Sequence, residues 1–450
     1  MKPNIVFILI DSFRADRFYG DTKTAKTPNL DKIMEEGVYF QNAIGCSDYT
    51  GPVLQSIFTG CFPVGCGIPR DTFVKLYNKD LSYLTILKDN GYHLYGHMEK
   101  AVCNQGFREP FENDDVDFES TQNIHNGLIE QIVEKITSNT LSEPWCYYIH
   151  LMDLHKPCVV PSEFQDLSLS ERYDYNISTI DNWIGKIFTK LELSNTIFIL
   201  TADHGEYISP FDTYRGLQDK SNMFSKTMKK SIKSLIPKSY QTKVHVKKKA
   251  VHNALRSTKM NSSHEKRMMN TRPQKDRMFF DDVVHIPLLI GGFGINASQK
   301  LISEQVRTLD IFPTIFEILN LKGPKNTING QSLIPLLNNT DFKSLPAYME
   351  SAVIKNSPTK NPNPAVGIRT NDYKYFRSLN NTEKNVHLYD LNQDPLEDNN
   401  IADTNPEKIK EFETMLLEIR NNTEVIENTD NLSSDEEKEL EAELKKLGYI

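Results

Sequence analysis

The sequence predicts an α/β protein: a doubly wound, mostly parallel sheet followed by a small antiparallel subdomain. Three observations lead there. Apolar runs of strand length, "NIVFILI", "WCYYIHL" and "TIFILT", recur with helical patterns between them. Strands that are apolar on both faces belong to a sheet covered on both sides. Each run also ends in polar residues: Asp11 after the first, Asp153 and His155 after the second, Asp203 and His204 after the third. In such sheets ligand sites lie at the carboxyl ends of the strands. Beyond about residue 345 the texture changes to short alternating segments spaced by Asn-rich turns, which suit an antiparallel sheet.

The elements follow in order. Ile5 to Ile10 is a buried first strand rather than a signal sequence, because the run is short and ends on Asp11. "TPNLDKIMEEGVYF" predicts a helix entered at Thr27 and Pro28 and stopped at Gly37. "DLSYLTILKDNGYHLYGHM" repeats that logic, with a stop at Gly91 before a strand. "VVHIPLLIG" is a later strand, and "TLDIFPTIFEILNL" a helix with Pro313 near its first turn. "AVGIRTNDYKYFRS" and "VHLYDL" supply the antiparallel pieces. Near the end, Ser434 and Glu437 form a capping-box pattern ahead of Leu440, Leu444 and Leu447 at helical spacing. These features divide the chain into a main domain at 1–344, an antiparallel subdomain at 345–425 and a terminal helix at 426–450.

Composition bounds the class. A chain of 450 residues, 38% hydrophobic and 25% charged, is that of an ordinary globular protein. It holds no run of the roughly 18–20 apolar residues that a membrane span needs. A cytoplasmic protein, or one peripheral to the membrane, is the expectation. Six cysteines without a CxxC pair do not suggest a disulfide framework. The net charge of −8 conceals a basic insertion: Arg215–Arg277 carries 18 Lys or Arg against 3 acids. Such a segment at the mouth of a site concentrates anions, whether an anionic polymer or a membrane surface. Nucleic acid is disfavoured, since Phe224 and Tyr240 are its chief aromatics for stacking on bases.

Asp11, Asp203 and His204 share a strand-edge context that suits a divalent metal, and the imidazole moves the preference towards Mn²⁺ or Zn²⁺ and away from Ca²⁺. "HLMDLHKP" adds His150, Asp153 and His155, and "DDVVHIPLLIG" adds His285. Strand alternation turns His150 towards the core and leaves Asp153 and His155 in the following loop. Two nucleophile candidates, Cys46 and Thr50, lie four residues apart in "CSDYTGPVLQSIFTG".

The motifs "PNIVFILIDSFRADRFYG", "TPNLDKIMEEGVYFQNA", "SIFTGCFP", "HLMDLHKP", "TADHGE", "HIPLLIGG", "DIFPTIFEIL", "NGQSLIPLL" and "LYDLNQDPLEDNNI" occur in an order that resembles the sulfatase family of the alkaline phosphatase superfamily. The resemblance spans nearly the whole chain, with the basic insertion outside it. It implies an alkaline-phosphatase-like fold and a metal-assisted nucleophile that attacks sulfur or phosphorus. Sulfatases use a C-x-P-x-R motif whose Cys, oxidised to formylglycine, lies ten residues before the Gly of a "TG". Counting back from Gly60 gives Thr50, with Pro52 in place and Leu54 where Arg is expected.

Two further features depart from the family. The Gly-Lys pair after "GYxT" is absent, with Lys100 one position late, and Ser12 stands where many sulfatases have a second Asp. A Thr alkoxide also lacks the second hydroxyl through which a formylglycine hydrate expels sulfate. The resemblance therefore implies a metal held by Asp11, Thr50, Asp203 and His204, Mn²⁺ or Zn²⁺ ahead of Ca²⁺. It places Thr50 as nucleophile and His155 as acid or second-metal ligand, with Asp153, His285 and His150 as second-metal or substrate contacts. The expected activity is phosphoric-ester hydrolysis or phosphoryl transfer, on a glycan or lipid-linked ester. Sulfuric-ester hydrolysis is the first alternative, and a non-catalytic binder of anionic polymers the second.

Overall fold

The computed structural model describes residues 2–66, 75–119, 123–138, 140–208, 262–268, 278–296, 299–324, 328–351, 364–426 and 432–447. The basic insertion predicted at Arg215–Arg277, including Phe224 and Tyr240, lies outside the described residues except for 262–268.

Eight strands form the main sheet: β1 (Asn4–Ile10), β2 (Val38–Ile44), β3 (His93–Glu99), β4 (Asp117–Phe118), β5 (Trp145–Leu151), β6 (Thr196–Thr201), β7 (His285–Gly292) and β8 (Leu301–Arg307). Their order is β4-β3-β5-β1-β6-β7-β2-β8. Only β7 runs antiparallel to its neighbours, β6 and β2. Every residue of β1, β5 and β6 is buried, as expected of strands covered on both faces. The helix Leu169–Phe188, which begins with a Ser168–Glu171 capping box, packs beside the helix Pro28–Glu36. On the other face Phe312 of the helix Ile311–Ile318 stacks on Phe7.

A second sheet is antiparallel: β9 (Ala347–Glu350), β10 (Ala365–Arg369), β11 (Tyr373–Ser378) and β12 (His387–Asp390), in the order β12-β11-β10-β9. The helix Pro406–Asn422 covers it, with Phe412 and Leu416 buried against Tyr375 and Ile368. The predicted fold class therefore stands. The terminal helix runs Ser434–Leu447, but its capping box lies one residue earlier than expected: Ser433 Oγ accepts from Glu436 N at 3.3 Å, and Ser433 N donates to Glu436 Oε2 at 2.7 Å. Among the described residues no helix is long and apolar enough to cross a membrane.

Candidate active site

The strand order places the carboxyl ends of β5, β1 and β6 side by side. In register, Leu9 faces His150 on one side and Thr201 on the other, so Asp11 and Asp203 emerge at the same level. Ser12 then turns the chain with a positive φ of 62°, a conformation that costs energy for a residue bearing a Cβ. That turn aims its N–H at Asp203 Oδ1, 3.1 Å away, while Ser12 Oγ donates to Asp11 Oδ1 at 2.5 Å. Tyr173 OH, from the long helix, donates to Ser12 O at 2.6 Å and holds the turn in place.

Thr50 is the first residue of the helix Thr50–Thr59, and its hydroxyl donates to Asp11 Oδ2 at 3.1 Å. His150 Nε2 lies 3.9 Å from the same oxygen, and His204 Nε2 lies 3.5 Å from Asp203 Oδ2. His204 Nδ1 is tied to Gly205 O at 2.8 Å. Donor atoms of Asp11, His150 and Asp203 all fall within 4.8 Å of one another. The structure thus brings Asp11, Thr50, Asp203, His204 and His150 together. His150 points inward, as strand alternation requires, and what it meets there is the site itself.

The electrostatics suit a cation. Burial raises the pKa of Asp203, and the Asp11 carboxylate adds to the effect. Burial opposes the charge on His204, but Asp203 and Asp11 outweigh it and lift the ring to about 9. His150 is pushed down to about 4 by burial and stays neutral. His150 Nε2, His204 Nε2 and Asp203 Oδ2 are buried without a hydrogen-bond partner among the described residues. Orphaned buried polar atoms are costly, and here they converge beside two carboxylates. The residues fit a metal.

The other expected residues stand apart from this cluster. Asp153 is buried in the loop after β5, where Oδ1 accepts from Ile124 N at 2.9 Å and burial pushes its carboxyl up to about 7. His155, in the same loop, donates from Nδ1 to Lys156 O at 2.9 Å. His285 opens β7 with Nε2 bonded to Gln41 O at 2.6 Å, close to Asp281 and Arg369. Cys46 is buried, and its thiol is pushed up to about 11 by burial. A thiol so held is a poor nucleophile.

Sequence reasoning missed the groups that tie the site loops together. Arg14 is buried between Asp16 and Asp282, at 2.7 and 2.8 Å, and Nη1 reaches Glu206 O. Lys156 pairs with Glu206 Oε1 at 3.1 Å, joining the loops after β5 and β6. Glu206 carried one signal, an acidic residue within a few positions of an apolar strand's carboxyl end.

Comparison with known proteins decides the family. The Sulfatase family model matches residues 3–321, and the model for the C-terminal part of N-sulphoglucosamine sulphohydrolase matches residues 274–423. The chain belongs to the sulfatase family. It is similar to an ulvan-active sulfatase of Formosa agariphila, 24% identical over 512 residues, covering 100% of this chain and 85% of that protein. Human arylsulfatase K is 24% identical over 444 residues, covering 90% and 80%. Among solved structures, a 2-O GAG sulfatase superposes with a TM-score of 0.63 at 17% identity, covering 94% and 93%, which bears on the fold. As a sulfatase-family member with this buried site, the protein is a metal-dependent hydrolase of an ester substrate.

Membership also corrects the expected ion. Mn²⁺ or Zn²⁺ had been favoured for the imidazole, but the Asp11, His150 and Asp203 trio in a sulfatase-family chain goes with Ca²⁺, the ion of that family. The physical reason is the balance of donors. Two carboxylates and the Thr50 hydroxyl offer hard oxygens, which Ca²⁺ takes in number, and the imidazoles do not outweigh them.

Proposed function

We propose that this protein hydrolyses sulfuric esters of an anionic glycan, with Thr50 at the reacting centre. The phosphoric-ester activity that the sequence placed first gives way to its alternative. The observation that carries the reading is the Thr50 hydroxyl, 3.1 Å from Asp11 Oδ2, inside a buried carboxylate and imidazole cluster of a sulfatase-family chain. Relatives named for ulvan and for a glycosaminoglycan support a sulfated polysaccharide as the substrate class.

Asp11, Asp203, Thr50 and the His150 and His204 rings would hold Ca²⁺, which when bound supplies positive charge that offsets the anionic ester. The chain's own groups do the rest. Thr50 opens a helix whose first N–H groups have no side-chain cap, and these favour anionic sulfuryl oxygens. Asp11 takes the Thr50 proton as Oγ bonds to sulfur. The bond from sulfur to the ester oxygen breaks, its electron pair leaves with that oxygen, and the oxygen takes a proton from water. Water then attacks the same sulfur, and the electron pair of the Thr–O–S bond returns to Oγ, which regains a proton.

Hydrolysis of matched aryl sulfate, aryl phosphate and sulfated oligosaccharide by calcium-loaded protein tests the reading. Sulfate turnover is expected, reduced on the order of 10³-fold or more by Thr50→Ala and retained in Cys46→Ala. Preference for the phosphate ester, or turnover that survives Thr50→Ala, would overturn it.

A further inference from the structure

Ser12 stands where many sulfatases carry a second Asp, so a neutral side chain fills a fully buried position between two carboxylates. It contacts both of them, on one oxygen of each. Its hydroxyl donates to Asp11 Oδ1 at 2.5 Å, and its N–H donates to Asp203 Oδ1 at 3.1 Å. A second N–H, that of His204, reaches Asp203 Oδ1 at 2.7 Å. A serine hydroxyl holds one proton and an ionised carboxylate only accepts, so the bond to Asp11 commits that proton.

The other two oxygens have different company. Asp11 Oδ2 has the Thr50 hydroxyl at 3.1 Å and His150 Nε2 at 3.9 Å. Asp203 Oδ2 lies 3.5 Å from His204 Nε2 and is buried without a hydrogen-bond partner among the described residues, as are both of those ring nitrogens. The Thr50 hydroxyl and the orphaned nitrogens therefore lie beside the Oδ2 oxygens. The turn that sorts the oxygens is held from outside itself. Ser12 keeps its positive φ of 62° because Tyr173 OH accepts from Arg14 N at 2.9 Å and donates to Ser12 O at 2.6 Å, spanning the turn.

We propose that Ser12 is a positioning residue for the metal, which occupies one oxygen of each aspartate so that Asp11 and Asp203 each offer the ion a single oxygen, Oδ2. Ca²⁺ takes about six to eight oxygens and accepts a carboxylate through one oxygen or both. Aspartates bound through one oxygen apiece leave places on the ion for Thr50 and for an oxygen of the ester. An Asp in place of Ser12 would take a further place and add a third negative charge. The inference rests on the cluster as a calcium site and not on which ester is cleaved.

Calcium titration calorimetry on the full chain, paired with urea unfolding in the absence of calcium, tests it. Ser12→Ala and Ser12→Gly both lack the hydroxyl, but only Gly relieves the positive φ, so the calcium-free Gly variant should be the more stable of the two. Both should nonetheless bind calcium more weakly than wild type by a similar factor, about 10–100-fold. Were Ser12 to serve the fold alone, calcium affinity would follow calcium-free stability. Near wild-type affinity in Ser12→Gly therefore overturns the proposal. The infrared difference between calcium-loaded and calcium-free protein reads the binding mode, since a carboxylate bound through one oxygen has its two stretching bands farther apart than one bound through both. Wild type should show the wide separation, and Ser12→Ala should add a narrow one that disappears when Asp11→Asn is combined with it. A narrow separation in wild type, or a wild-type chain that binds no calcium, would also overturn the proposal. The expected calcium pattern in a chain that prefers phosphate esters would sustain the role of Ser12 and sink the sulfuric-ester reading.

Discussion

Replacing Asp282 by Asn should cost about 3 kcal/mol of stability. The carboxylate is buried and meets three basic side chains: Arg14 Nη2 at 2.8 Å, Arg267 Nε at 3.0 Å and His264 Nε2 at 3.1 Å. At a charge separation near 4 Å and an effective dielectric of about 20, one such pair is worth roughly 4 kcal/mol before desolvation. Removing one partner of a buried pair typically costs about 3–5 kcal/mol, because the other charge is stranded. The low end applies here, since Arg14 keeps Asp16 and Arg267 keeps Glu397 at 3.8 Å. Urea unfolding followed by the fluorescence of Trp145 and Trp183, both buried, gives the measurement. The pH dependence fixes the cause. Although burial opposes it, Arg14 and its neighbours hold Asp282 well below the usual carboxylate range. Its stabilisation is therefore complete above about pH 4 and falls away as acid protonates it. Wild type and variant should begin to converge below that pH and meet only where acid protonates the folded-state carboxylate, well below it. A loss under about 1 kcal/mol at pH 7, or one independent of pH, would mean that desolvation cancels the three contacts.

Calcium at a hundred times its dissociation constant should stabilise the protein by about 2.7 kcal/mol, and Asp11→Asn should abolish that increment in thermal unfolding. Asp153 should act in the opposite sense to Asp282. Its carboxyl is raised by burial to about 7, so the folded state holds a proton that the unfolded chain releases near 4, and stability declines between those pH values. Asp153→Asn keeps the Oδ1 acceptor for Ile124 N and should remove a decline on the order of 2–4 kcal/mol, read from unfolding at pH 4 and pH 8. Cys46 should resist alkylation in the folded protein at pH 8, as a buried thiol near 11 requires, and react once urea unfolds the chain.

The sheet was legible because β1, β5 and β6 are apolar on both faces, a pattern that few other structures demand. Asp11, Asp203 and His204 were legible for the same reason, since a polar residue closing such a run has little to do but face the edge. Contacts made across the sequence were not. His150 lies within a strand, where alternation fixes the direction of a ring but not what occupies the space it enters. The preference for Mn²⁺ or Zn²⁺ erred by letting the imidazole outweigh the oxygens that Asp11, Asp203 and Thr50 gather from three separate elements.

The two adjacent carboxylates before β7 explain why the small sheet matters to chemistry on the large one. Asp281 faces the antiparallel sheet, where Arg369 holds it at 3.0 Å and buried Lys374 bridges it to Glu397. Asp282 faces the other way and grips Arg14, two residues beyond Ser12. Gly205 N, in the loop that follows Asp203 and His204, donates to Val283 O at 2.6 Å within the same short turn. One turn therefore fastens the loops of β1 and β6 to β10 and β11. Asp11 and Asp203 are like charges, and their proximity has to be imposed by backbone that cannot retreat. That restraint comes from a sheet to which neither aspartate belongs.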